Sequence, residues 1–304
     1  MSNVLATWFG IIQGSILGPI LYAIFISPIF DIENMTCYVD NGFSLVFDKD
    51  KEVVCDLIKI KLMNTIDWLT RSGMKVNESK TNLCLFYYKD TNPIEIVLNG
   101  VSIKSCKTVN VLGVVFDQKL QWAEHISHCI TKSKKAITAI RMISKFFTTQ
   151  ELLQLVTSNV FSVLYYNSEI WHIPSLKSNL KQKLLSCSSS AIKACAKYCV
   201  RDVSFVDLHN TFKRATPEKF LLYKTAINLF KLMNTTETFE WVALNFNQIL
   251  TSRQTKFLST RANSKKVGLN ALANRFFILN NRIPLVWFNM SLNSFKIHCK
   301  RELL

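Results

Sequence analysis

Glycine and proline are scarce, 8 and 6 in 304 residues. So little of either leaves few places for long disordered or low-complexity stretches. A chain of this length, 49% apolar with a mean hydropathy of +0.16, can bury a sizeable core and suits two domains, or one with a helical appendage. No apolar run makes a comfortable membrane span, which needs about 20 residues. The longest, Ile16 to Phe30, is broken by Gly18, Pro19 and Pro28 and has no flanking Lys/Arg cluster. No basic–apolar–small opening marks a signal peptide. The nine cysteines are odd in number and scattered, so no disulfide framework is read. Together these absences predict a reduced intracellular setting, cytoplasmic or nuclear, and no membrane partner. Cys195 and Cys199 with His209, and His125 and His128 with Cys129, come nearest to a metal set. Neither has a second pair at zinc-finger spacing, and buried free cysteine is the ordinary reading.

Acidic residues are few as well, 21 against 37 Lys and Arg, for a net charge of +16. The imbalance lies in one part. Residues 1–118 hold 10 basic and 12 acidic residues, a net of −2, whereas residues 119–304 hold 27 and 9, a net of +18. A near-neutral part followed by a strongly basic one points to a polyanion partner for the second; a solvated basic surface is the alternative.

Periodicity changes near the same place. Residues 10–19, GIIQGSILGP, read as a glycine-punctuated loop entering a helix, with Pro19 in its first turn. Leu21–Ile26 continue as a buried helix that Pro28 ends. Thr36–Phe47 read as a hairpin with Asp40, Asn41 and Gly42 at its turn, where Asn-Gly suits type I′ geometry. Asp50–Ser72 has helical periodicity, with Asp50 able to cap its start and Gly73 its end. Leu83–Tyr87 and Val111–Phe116 read as strands, and Asn99-Gly100 joins two more. After about residue 119, helices are expected at 123–146, 149–166, 178–199 and 217–233, the last opened by Thr216-Pro217-Glu218. Trp171, Trp241 and Trp287 read as core residues.

Four segments in order carry more: GIIQGSILGP at 10–19, YVDN at 38–41, WLTRSGMKVNESKTNLCLF at 68–86, and VLGVVFDQKLQW at 111–122 followed by His125-Ile126. Together they resemble the palm of reverse transcriptases of non-LTR, LINE-type retrotransposons, jockey-like in kind. That family shows a Gly-Val-Pro-Gln-Gly-Ser-x-Leu-Gly-Pro loop, a Tyr/Phe-Ala-Asp-Asp turn, a Trp…Asn…Lys-Thr segment and a Leu-Gly strand before a Trp…His-Ile helix. Leu279–Pro284 and Phe295-Lys296 are similar to the family's closing segments, so the resemblance covers nearly the whole chain. Its implied fold class is α+β: a partial right-hand polymerase palm over 1–118, an α-helical thumb-like region over 119–235 and a basic C-terminal segment over 236–304.

The resemblance implies RNA-directed DNA synthesis with Mg²⁺, on an RNA template and a DNA primer or an RNA–DNA hybrid. Two such ions, about 3.5–4 Å apart, stabilise the attacking and leaving oxygens, and carboxylates hold them. Asp40 takes the first position of the family's Asp-Asp turn and is the implied metal ligand; Asn41 takes the second, where a neutral amide removes one negative charge. The family's third Asp precedes the Gln-Gly-Ser loop, and none of Met1–Phe9 is acidic. By resemblance, Gln13, Gly14 and Ser15 pack under the nucleotide and template, Lys80 lies near the triphosphate, and Leu112 and Gly113 help position the primer end. Lys132, Lys134, Lys135, Arg141 and Lys145, interleaved with Ile130, Ala136, Ile137, Ile140 and Ile143, would form a basic amphipathic helix against the duplex backbone. The expectation is a truncated, catalytically impaired reverse transcriptase. The alternatives are a non-catalytic nucleic-acid-binding protein, or the inactive product of a decayed element.

Overall fold

The computed structural model describes residues 10, 14–32, 35–86, 93–98, 101–172, 176–196, 207, 210, 212, 215–234 and 290–303. Gln13, Cys199, His209, Trp241, Trp287 and Leu279–Pro284, singled out above, lie outside these. The chain divides into two compact units, Met1–Val109 and Asn110–Leu304.

In the first unit, helix α1 (Gly18–Ile26) starts with proline in its first turn, where a missing N–H costs nothing. A 3₁₀ turn, Ser27–Asp31, follows. The expectation that α1 is buried is not met. Only Gly18 and Ile26 are buried, while Ile20 is 58% and Ile24 65% exposed. Helix α2 (Lys51–Arg71) has the predicted ends. The Asp50 carboxylate accepts the Glu52 N–H. At the other end Gly73, at φ +71°, donates to Thr70 O, and Met74 N donates to Leu69 O, the paired bonds of a Schellman cap. Val54, Ile58, Ile66 and Leu69 form its half-buried stripe, and Val53, Leu57 and Met63 stay exposed.

Among the described residues the strands pair as three separate two-stranded sheets. Strands β1 (Met35–Tyr38) and β2 (Asn41–Ser44) are antiparallel, with Tyr38 opposite Asn41 and Cys37 opposite Gly42. Strands β3 (Glu95–Leu98) and β4 (Val101–Lys104) pair Leu98 with Val101, so the connection has the two-residue length predicted. The strand expected at Leu83–Tyr87 is reduced to one bridge, Leu83 with Ser105, beside a Cys106 N–H to Leu83 O bond of 2.8 Å. The strand expected at Val111–Phe116 is two strands, β5 (Thr108–Val111) and β6 (Val114–Asp117), split by Leu112-Gly113. Both turn residues are left-handed, φ +48° and +84°, as a type I′ turn requires.

In the second unit, α3 (Ala123–Ile143), α4 (Thr149–Val156) and α7 (Ser178–Cys195) surround one core. Between α4 and α7 come a π-helical turn (Thr157–Phe161) and short helices α5 (Ser162–Leu164) and α6 (Ser168–Trp171). Helices α8 (Pro217–Met233) and α9 (Leu292–Leu303) pack with Phe230 and Phe295 rings 4.3 Å apart. Val114, Ile126, Ile130, Ile137, Leu152, Val156 and Leu184 are buried in the core, and Trp171 is wholly buried there, as expected. Val114 of β6 belongs to this core, within the second compact unit. Among the described residues, no helix is long and apolar enough to cross a membrane.

Candidate functional site

The register of β1–β2 decides what its tip presents. With Tyr38 opposite Asn41, the two tip residues are Val39 and Asp40; of the expected Asp40, Asn41 and Gly42, only Asp40 is at the tip. Val39 takes the left-handed conformation at φ +54°, an unfavourable place for a β-branched residue. The Tyr22 hydroxyl of α1 donates to the Val39 carbonyl at 3.3 Å and steadies the tip. Burial, then the nearby charge of Asp40, raises the Tyr22 pKa. Asp40 is exposed, and the Asn41 amide donates to its Oδ1 at 3.1 Å. A second carboxylate would repel the first at this spot. Asn41 instead occupies one of its oxygens and adds no charge.

Gly42 is a strand residue with ordinary backbone angles, so the type I′ reading of Asn41-Gly42 is corrected. A Cβ there would meet Met35 Cε at 2.7 Å, the end of a flexible chain, and Cys37 Sγ at 3.9 Å, an ordinary contact. Gly113 differs. It is left-handed, and an added Cβ would lie 3.2 Å from the Tyr166 ring. Gly113→Ala is therefore expected to cost about 2 kcal/mol and Gly42→Ala under about 1. Urea midpoints of the two variants check this, and equal midpoints would contradict it.

Lys80 ends a 3₁₀ turn, Glu78–Lys80. Its N–H donates to Asn77 O and its carbonyl accepts from the Asn82 amide, both within its own loop. An open depression of about 500 Å³, lined by Lys75, Val76, Asn77 and Ser79, adjoins it in the chain; Asp40 is not in its wall. Gly14 is exposed with φ +88°, and Ser15 O accepts the Gly18 N–H that begins α1. Among the described residues no three His, Cys, Asp or Glu side chains converge as metal ligands. One carboxylate and one amide at the tip do not fit a two-metal site.

The Leu112-Gly113 turn is held from two sides, one of them backed by Trp171. Asn110 Oδ1 accepts the Gly113 N–H at 3.0 Å. The Tyr166 hydroxyl donates to Leu112 O at 3.0 Å, and Trp171 Nε1 donates to Tyr166 O at 2.8 Å. Next to it, the Val115 N–H donates to His125 Nδ1 at 3.2 Å, and the other ring nitrogen of His125 lies 3.6 Å from Cys129 Sγ. Burial, reinforced by His128, lowers the His125 pKa to about 4, so the ring is neutral at pH 7. The Asp117 carboxylate gathers the N–H groups of Lys119, Gln121 and Trp122. Tyr166 and Asp117 were missed as organising residues, because their partners are backbone atoms, which sequence spacing does not reveal.

The five cations of the predicted basic helix do not share one face. At roughly 100° per residue, Lys132 and Lys134 fall on opposite edges of α3, with Lys135 between them on the outer side. Arg141 shares the Lys134 edge and donates to Ser190 Oγ of α7 at 2.8 Å. Lys134 offsets part of the burial that raises the Cys187 thiol pKa. Lys145 lies beyond α3, in the 3₁₀ turn Ser144–Phe146. Of the apolar set, Ile130, Ile137 and Ile140 are buried, Ala136 is half-buried and Ile143 is exposed.

Residues 2–116 match the family described as reverse transcriptase (RNA-dependent DNA polymerase), and that segment belongs to it. The relatives make the kind specific. The chain is 25% identical over 206 residues to a probable RNA-directed DNA polymerase from transposon BS of Drosophila melanogaster, across 62% of this chain and 23% of that one. To the corresponding transposon X-element protein of the same fly it is 22% identical over 135 residues, 42% of this chain and 15% of that one. To the RNA-directed DNA polymerase from its mobile element jockey it is 25% identical over 129 residues, 39% and 14%. Beyond the matched segment the sequence is similar to LINE-type reverse transcriptases, and it spans less than a quarter of the length of the curated relatives it matches. No solved structure matches.

Proposed function

We propose that this chain is the palm-and-thumb portion of a retroelement reverse transcriptase that grips an RNA–DNA hybrid and adds nucleotides poorly or not at all. Residues 1–118 are the palm in this reading, 119–235 the thumb and 236–304 a basic tail, acting in the cytoplasm or nucleus. The observation that carries the grip is α3. Lys132, Lys134 and Lys135 are exposed on it, and none makes an ion pair with a described residue. Cations left unpaired on a helix fastened to a core can exchange counterions for phosphates. The loss of synthesis rests on Asn41, which supplies a neutral donor to Asp40 where the family has a second carboxylate.

Binding of the purified chain to an RNA–DNA hybrid is expected to weaken with salt, log Kd against log salt changing with a slope of magnitude about 3. No binding at low salt by a folded sample would reject the grip. Primer extension in magnesium buffer is expected to stay at background. Extension that Asp40→Ala abolishes would reject the impairment. Salt-dependent binding without synthesis is also what a non-catalytic binding protein would show, and the unequal charge of the two parts favours that second reading.

A further inference from the structure

We propose that the corner between α3 and α4 is a stacking platform for an unpaired nucleic-acid strand, with Phe146 as the ring on which a base rests. The inference deepens the nucleic-acid reading of the helical unit and rests on it. Phe146 is 74% exposed in the 3₁₀ turn after α3, and Met142 beside it is equally exposed. Phe147 and Ile143 border them, each 37% exposed. None of the four belongs to the core of the unit.

The corner is firmly built although its surface is bare. Ser144 Oγ donates to Arg141 O at 2.8 Å, and Arg141 reaches across to Ser190 Oγ. On the far side Thr148 and Glu151 close a capping box that starts α4. A ring on so fixed a turn gives up little freedom when a flat partner covers it.

Charge identifies the partner. Lys145 Nζ stands 4.9 Å from the centre of the Phe146 ring. Residues 125–168 contain five cations, Lys132, Lys134, Lys135, Arg141 and Lys145, and one carboxylate, Glu151. That carboxylate accepts from both Thr148 N and Thr148 Oγ1. Helix α7, packed alongside α3, has no acidic residue at all. An exposed aromatic face beside a cation, at the end of a helix that carries more of them toward its start, suits a base and its phosphate, since every base has a π-face to stack and every linkage a negative charge. Bases within a duplex are already stacked on each other, so the ring selects the unpaired strand.

The test uses the full chain and compares a dye-labelled single-stranded oligothymidylate with an RNA–DNA hybrid by fluorescence anisotropy at one salt concentration. Phe146→Ala is expected to weaken single-strand binding about tenfold and to leave hybrid binding unchanged. Phe146→Tyr should behave like the parent and Phe146→Leu like the alanine variant, because leucine keeps apolar area without a π-face. Undiminished single-strand binding by Phe146→Ala overturns the proposal. So does full binding by Phe146→Leu, which would mark a merely apolar surface suited to a protein. A parent chain that binds the hybrid but not the single strand overturns the stacking platform alone. A parent that binds neither overturns the nucleic-acid reading with it.

Discussion

Replacing Asp117 with alanine is expected to cost about 4 kcal/mol of stability, because three backbone N–H groups lose a charged acceptor together. Lys119 and Gln121 donate to one carboxylate oxygen at 3.1 and 3.0 Å, and Trp122 to the other at 2.7 Å. The loop they close is unfavourable without that help. Leu120 and Trp122 are both left-handed, at φ +49° and +65°. Bulky residues in that region cost about 1–2 kcal/mol each. The loop also seats the Trp122 ring in the core, 5.2 Å from Phe116, at the start of α3. Asp117→Asn keeps one acceptor oxygen and should lose about half as much. Urea unfolding followed by circular dichroism measures both. A loss below about 1 kcal/mol for the alanine variant would show that the loop is held by other means.

Acid should weaken the same region through His125. Its ordinary pKa is 6.5, and burial lowers it to about 4 in the folded chain. Between those values the unfolded chain binds a proton that the folded one refuses. The neutral ring therefore contributes its full stability above about pH 6.5, and that contribution falls as the pH drops toward 4. The slope is about 1.4 kcal/mol per pH unit, for a total near 3 kcal/mol. Below pH 4 the protonated Nδ1 can no longer accept the Val115 N–H, so the tie between β6 and α3 is lost. His128 is the charge that reinforces the shift, and Cys129 and Trp171 are its neutral neighbours. Urea midpoints from pH 7.5 to 4 should decline for the parent and much less for His125→Gln. Parallel declines would assign the effect to other groups.

These residues show where reading the sequence succeeds and where it stops. Helix α2 was legible because both ends are local: Asp50 caps two residues ahead, and Gly73 is left-handed one residue beyond the C-cap. Thr216-Pro217 announced α8 and Asn99-Gly100 the length of the β3–β4 connection for the same reason. The tip of β1–β2 was misplaced by one pair because Asn41-Gly42 has turn-forming composition, whereas register sets the turn. The pairing of Thr36 with Phe43 and Cys37 with Gly42 puts Val39-Asp40 at the bend. The split of the Val111–Phe116 run was hidden because a left-handed Leu112 contradicts local preference. It is accompanied by a hydrogen bond from Tyr166, 54 residues away. The motif residues of the site were all visible, but not their company. Asp40 has an amide beside it, and the five cations of the basic helix are spread over both edges of α3, its outer side and the turn beyond.

The π-helical turn at Thr157–Phe161 has the character of an insertion scar. Leu152, Val156, Val160 and Leu164 are all buried at a strict step of four residues. On an uninterrupted α-helix that step would drift by roughly 40° each time and carry Leu164 off the core. The wider turn absorbs the drift, with Ser162 N donating five residues back to Thr157 O. Removing one residue there would restore regular helical winding and change the spacing of the four buried residues to four, three and four, which keeps them all within roughly 60° of arc. Tyr166 would keep its reach to Leu112 O. A single-residue deletion in this stretch should thus be tolerated, whereas the same deletion within the regular α3 would turn everything beyond it by roughly 100°.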